Sequence, residues 1–248
     1  MYPNTKTDNS SKLRTMAETK VVTPAPREDH EIVVDRAKDF WTRNNRLIMM
    51  LGLGVILLGG GYLGYKKLVK EPNEVKASEA MFRAENYYRA DSLNLALNGD
   101  GQAPGFLKVI SQYGGTKAGN LAHFYAGSIY LQQGDAAKAA KHLGEFETDA
   151  AQVQARAYKL LGDAYAEQNK AGDALSAYKK AAHHFEQDEV NASEYLFLAA
   201  YYAQRVANNP KEASDLFREL KNKYPRSTRG AEADKFLAQL GVYSTEKK

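Results

Sequence analysis

Apolar positions fall into three regimes along this chain. Up to residue 30 they follow no period. Thr, Ser, Lys and Pro dominate, with Pro24 and Pro26 close together, and a stretch that cannot bury a core reads as a disordered tail, 1–30. Over 31–46, Ile32, Val33, Ala37, Phe40 and Trp41 recur at near-helical spacing with charges between them, which predicts an amphipathic juxtamembrane helix. From Leu47 to Tyr65 the chain runs 19 residues without a charge. A helix of that length is roughly 28 Å long and matches a bilayer core, so 47–65 is predicted to be one transmembrane helix. Arg43 and Arg46 precede it and Lys66 and Lys67 follow, while Trp41, Tyr62 and Tyr65 suit the interfacial belts. A cleaved signal peptide is the weaker reading, because 46 residues lie ahead of the run, the apolar stretch is long and no small-x-small cleavage site follows before Lys66.

The glycines of this span need separating from chemistry. Gly59-Gly60-Gly61-Tyr62-Leu63-Gly64 has the form G-x-G-x-x-G, but that fingerprint requires a preceding strand and a parallel βαβ unit, and neither fits an apolar run of membrane length. Gly60 and Gly64 instead offer a face on which a second copy of the span can approach to form a homodimer. Glycine is nevertheless common in membrane helices without any such role.

After a linker at 66–77, the segment 78–248 is periodic at the helical repeat and self-similar. Ala126-Gly127-x-x-Tyr130 recurs as Leu161-Gly162-x-x-Tyr165, and Ala139 as Ala174, each displaced by 35 residues. A third unit carries Leu198-Ala199-x-x-Tyr202, then Ala213, Phe217, Leu220 and Pro225, with about two residues inserted around Asn208-Asn209-Pro210. These positions resemble the tetratricopeptide repeat, a helix–turn–helix unit of about 34 residues. Upstream, Glu79 to Leu97 and Pro104 to Tyr113 predict a degenerate hairpin, and downstream Thr228 to Leu240 with Gly241 predicts a terminal capping helix. The expected fold class is all-α, a TPR-like α-solenoid attached to a single N-terminal transmembrane helix.

The resemblance implies a groove lined by the first helix of each hairpin. It puts Phe124, Ser128, Leu131 and Gln132 there from unit one, Arg156, Lys159, Asp163 and Glu167 from unit two, and Leu196, Ala200 and Gln204 from unit three. Chaperone adaptors of this fold grip a terminal carboxylate with a Lys/Asn/Lys/Arg set. Here Lys159 is followed one turn later by Asp163, which argues against carboxylate capture.

Charge and chemistry narrow the function further. The net +4 divides unevenly: residues 71–248 hold 22 Lys and Arg against 23 Asp and Glu, so the repeat segment does not have the basic character of a nucleic-acid binder. Without cysteine there is no disulfide framework, thiolate zinc site or cysteine nucleophile. Neither G-x-S-x-G, H-E-x-x-H nor a phosphate loop occurs, so no enzyme, cofactor or catalytic residue is expected. The histidines are His30, His123, His142 and the pair His183-His184; adjacent residues on a helix point about 100° apart, and no metal site is expected. Asn98-Gly99-Asp100-Gly101 lacks the alternating ligands and closing glutamate of a calcium loop and reads as a turn.

The charged Phe40-Trp41 helix, the span ending Tyr62-x-x-Tyr65-Lys66-Lys67 and the attached repeats together resemble the YfgM-like ancillary subunits of the bacterial Sec translocon. The segments Asp91 to Gly105 and Tyr113 to Ala122 look like the Bacteroidota version of that architecture. The resemblance implies a non-enzymatic adaptor or chaperone in the inner membrane. Its N-terminus would be cytoplasmic and its repeats periplasmic, handing unfolded clients from the Sec translocon to periplasmic chaperones. Positive charges do not decide orientation, since five lie within 20 residues on each side of the span. The alternatives are a scaffold for an envelope complex and a cytoplasm-facing membrane adaptor.

Overall fold

The computed structural model describes residues 29–242, with side chains from Val33 onward, so the expectation of disorder over 1–28 lies outside the described residues. Those described are all helical apart from turns and loops, with no strand among them; Gly99 and Pro104 form one isolated bridge. The chain divides into two units, residues 1–61 and 62–248.

In the first unit, α1 (Asp29–Tyr65) takes in residues 29 and 30, which the sequence reading gave to the tail, and continues unbroken through the expected 46/47 boundary and beyond residue 61. Helical hydrogen bonding is local, so a change from charged to apolar side chains does not interrupt it. Phe40, Trp41, Leu47, Met49, Met50, Leu51, Val55, Ile56, Leu57 and Leu58 are all exposed. This apolar run is thus not buried as a soluble core helix would be, and it is long and apolar enough to cross a membrane.

The second unit begins with the last residues of α1. The segment 66–77 is helical: a π-helical stretch, Lys66–Lys70, and the start of α2 (Glu71–Arg89). The helix expected over Glu79 to Leu97 is interrupted, because Asp91 takes the left-handed conformation (φ 55°) and the chain restarts as α3 (Leu93–Asn98). Then follow α4 (Phe106–Tyr113), α5 (Lys117–Gln132), α6 (Ala136–Glu145), α7 (Ala151–Glu167), α8 (Ala171–His184), α9 (Glu189–Arg205), α10 (Pro210–Lys223) and α11 (Thr228–Gln239). From α3 onward each helix packs on the next.

The 35-residue offset has a physical meaning in this unit. A Cβ on Gly127 would sit 2.6 Å from Leu143 Cγ, and one on Gly162 would sit 2.5 Å from the ring of Tyr178. Leu143 and Tyr178 each lie 16 residues after their glycine, so both hairpins close through the same contact between a bare backbone and a large side chain. The turns match as well. Gly134 (φ 76°) and Asn169 (φ 59°) are left-handed, and the next amides, of Asp135 and Lys170, reach back to Tyr130 O (2.8 Å) and Tyr165 O (2.9 Å). The same cap closes α2 (Ser92 N to Tyr87 O, 2.9 Å) and α11 (Val242 N to Leu237 O, 2.9 Å). In the third hairpin the extra residues lengthen it: Ala207 N bonds Tyr202 O, and Asn209 N reaches Ala203 O.

Helix starts repeat too. Thr116 accepts from Gly119 N, Ser227 accepts from Gly230 N, and each hydroxyl donates to the carbonyl three residues before it, on Tyr113 and Tyr224. Tyr-x-x-[Thr/Ser]-x-x-Gly therefore opens both α5 and α11. The glycine is required because a Cβ would lie within 2.0 Å of the tyrosine carbonyl oxygen in either copy. The buried interior forms two clusters, one around Phe106, Val109 and Ile129, the other around Leu196, Phe217 and Leu220.

Candidate functional site

The first helices α5, α7 and α9 carry the residues expected to line a groove, and their burial divides them. Gln132, Arg156 and Glu167 are exposed, and Phe124, Leu131, Lys159, Asp163 and Gln204 are half-buried. Ser128, Leu196 and Ala200 are buried, so these three, contrary to expectation, do not face solvent. The Ser128 hydroxyl donates to Phe124 O (2.8 Å) within its own helix. Leu196 and Ala200 are 1% and 0% exposed because α9 packs against α8, α10 and α11, which turns the stripe Ala192, Leu196, Ala199, Ala200 and Ala203 inward.

On α7 the spacing of Arg156, Lys159, Asp163 and Glu167 puts two cations and two carboxylates in sequence along one face. The middle pair is tied down. Lys159 Nζ lies 2.7 Å from Asp163 Oδ2, and Tyr178 OH donates to Asp163 Oδ1 at 3.0 Å. Burial, then the neighbouring Asp163 carboxylate, pushes the Tyr178 phenol well above its ordinary value, so it stays a donor. Only Arg156 and Glu167 are left as exposed charges of this set. On α5, Phe124 packs against Phe146 (ring centroids 5.3 Å apart) and Tyr125.

An apolar groove of about 360 Å³ lies between α2 and α5, lined by Ser78, Met81, Phe82, Glu85, Lys117, Ala118 and Leu121. Phe82 is 61% exposed on it, a large ring left in water beside an apolar floor. Sequence reasoning assigned α2 to a capping hairpin and did not single out Phe82; its place beside Met81, within a helix whose buried residues are Ala77, Met81 and Ala84, was the available signal.

Among the described residues, two side-chain clusters combine histidine with carboxylate. On the first hairpin, His123 Nδ1 lies 3.2 Å from His142 Nδ1 and 3.2 Å from Glu145 Oε2. Burial lowers both histidines; Glu145 opposes this, and Lys141 adds to it. The second cluster joins His183, Glu186 and Glu219. There Lys223 Nζ sits 2.7 Å from Glu186 and 2.9 Å from Glu219, and these hydrogen bonds raise the lysine. Burial alone would raise Glu219, but hydrogen bonds from Lys223 and His183 outweigh it and hold the carboxyl low. An ammonium already supplies the positive charge of the second cluster, and among the described residues none is seen bonded to the first. In the sequence, the signal for the first was His142-x-x-Glu145 on one helix face, with His123 at a distance only the hairpin could close.

The glycine-rich turn uses its carboxylate internally. Asp100 accepts from Gln102 N (2.9 Å), Ala103 N (2.6 Å) and Tyr87 OH (2.6 Å), which hold it down to about 2. Comparison of the chain with protein-family models, with curated proteins and with solved structures finds no match.

Proposed function

We propose that this chain is a non-enzymatic, membrane-tethered adaptor. In this reading α5–α11 form a TPR-like solenoid, α1 anchors it in a bacterial inner membrane, and the repeats stand on the periplasmic side beside the Sec translocon. The observation that carries it is the recurrence of one hairpin geometry, Gly127 against Leu143 and Gly162 against Tyr178, in a chain whose α1 exposes a bilayer-length apolar run. Stacked hairpins make extended surfaces suited to holding polypeptide, and tethering raises the local concentration of a weak binder beside its clients. The groove with Phe82, and the exposed charges Arg156 and Glu167 of α7, offer apolar and mixed-charge contact of the kind an extended, unfolded chain can occupy.

The test is photocrosslinking in living cells with p-benzoylphenylalanine at Phe82 or Arg156, and at Lys211, exposed on α10, as control. Translocon subunits and a heterogeneous set of secreted chains should be captured from the first two positions and not from the third. One folded partner in fixed stoichiometry would mean a scaffold, and absence of adducts at both positions would sink the adaptor reading.

A further inference from the structure

We propose that His123, His142 and Glu145 form a binding site for a divalent first-row transition ion, of which Zn²⁺ is the reference, with a fourth position open to solvent.

The geometry is that of a ligand set. Around a tetrahedral ion with bonds of about 2.0–2.1 Å, neighbouring donor atoms lie about 3.3–3.4 Å apart. His123 Nδ1 is 3.2 Å from both His142 Nδ1 and Glu145 Oε2, and all three donor atoms fall within 4.8 Å of one another. The third edge, from His142 to the exposed Glu145, is at most 4.8 Å, and two imidazoles with one carboxylate are donors that suit zinc, copper or nickel.

The hairpin builds this arrangement. His142 and Glu145 are three residues apart on α6 and share a face, while His123 reaches across from α5 one turn before Gly127. The close approach of Gly127 to Leu143, the neighbour of His142, brings the two helices near enough for the rings to meet. His142 is also held in place: its ring stacks on Tyr130, centroids 5.5 Å apart, and Lys138 Nζ lies over the same tyrosine, 5.1 Å from its centroid. With neutral rings, the contact without metal is a single Nδ1 proton of His123 shared towards His142 and Glu145. A cation takes that place once the proton is carried on Nε2 instead, a tautomer change that needs no net loss of a proton from the imidazole. Lys141 is an adjacent charge that works against a cation, opposed by Glu145.

The equivalent place in the next hairpin argues for a purpose-built difference. Thirty-five residues on stand Tyr158, Ala177 and Lys180, and there Lys180 lies over the Tyr158 ring at 6.0 Å, with no ligand set. Packing of the repeat therefore does not by itself demand histidine at this position.

The experiment uses the tag-free, full-length protein in detergent, stripped of metal. Zn²⁺ is titrated by calorimetry, and Co²⁺ by the visible bands that mark a tetrahedral site. One equivalent should bind, with tetrahedral Co²⁺ absorption and a raised melting temperature. Since losing even an outer partner of a metal site costs 10–100-fold, His142→Ala should weaken Zn²⁺ by at least about 100-fold. Glu145→Gln, on the surface and harmless to packing, should weaken it about 10-fold or more with an unchanged melting temperature in the absence of metal. His183→Ala, in the other cluster, should leave binding intact. No binding tighter than millimolar, binding unaffected by Glu145→Gln and His142→Ala, or binding abolished by His183→Ala would each overturn the assignment.

Discussion

The hairpins α5–α6 and α7–α8 are the same construction with different fillings, and the contrast separates what the repeat requires from what it leaves free. Both need a glycine at the crossing, a left-handed residue at the turn, and a buried alanine, Ala139 or Ala174, early in the second helix. What fills the crossing is free: Leu143 in one, Tyr178 in the other. With the tyrosine comes a polar bond the first hairpin lacks, from its hydroxyl to Asp163. Outside the crossing the surfaces diverge fully, an imidazole pair with Glu145 in one and a tyrosine under a lysine in the other.

The strongest way to break the equivalence is at the crossing. Gly162→Leu and Gly127→Leu should each destabilise by about 3 kcal/mol in urea unfolding, since the added side chain overlaps a buried neighbour. Gly162→Ala should cost about 2 kcal/mol by the same clash, and Tyr178→Leu, which gives the second hairpin the first one's filling, should recover part of that in the double variant. A purely additive pair would show that the two residues are not in contact.

Next in size is the hydroxyl. Tyr178→Phe should cost about 1 kcal/mol, while Asp163 keeps its partner Lys159; no change in the urea midpoint would mean the bond contributes nothing. Smaller again is the turn. Asn169→Gly, which imitates Gly134, should be neutral or stabilising by a few tenths of a kcal/mol, whereas Gly134→Val should cost about 1–2 kcal/mol because a β-branched residue is forced to positive φ. Melting temperatures of the two variants moving the same way would contradict the shared cap.

The smallest effect lies at Asp100, outside both hairpins. Its folded carboxyl is held at about 2 against an ordinary 3.8, so its contribution to stability is complete above the ordinary value and is lost as pH falls towards 2. Asp100→Asn should flatten that part of the acid-unfolding curve followed by circular dichroism.

Much of this fold was legible in the sequence because small and aromatic residues at fixed offsets mark the places where helices touch. Gly127, Gly162, Tyr130 and Tyr165 announced their roles by recurrence. Three things were not legible. The break at Asp91 escaped because apolar period carries through it, and only the backbone reveals the left-handed residue. The burial of Ser128, Leu196 and Ala200 escaped because the groove positions were carried by register alone, which does not show how closely the neighbouring helices cover that face; α9 packs on α8, α10 and also α11. His123 and His142 escaped because their meeting depends on how close two helices come, a distance set by Gly127 and Leu143 rather than by the histidines. The shared start Tyr-x-x-[Thr/Ser]-x-x-Gly of α5 and α11 was present in the letters, and its significance emerges from the carbonyl that each hydroxyl reaches.

The central claim is a repeat domain tethered outside the inner membrane, and a single cysteine tests it most directly because the chain has none of its own. Gln187→Cys, exposed between α8 and α9, would be treated with a membrane-impermeant maleimide in cells whose outer membrane has been opened, and membranes would then be extracted with carbonate. The account predicts labelling before the inner membrane is lysed and retention of the protein in the membrane pellet. Labelling only after lysis, or release of the protein by carbonate, would contradict it.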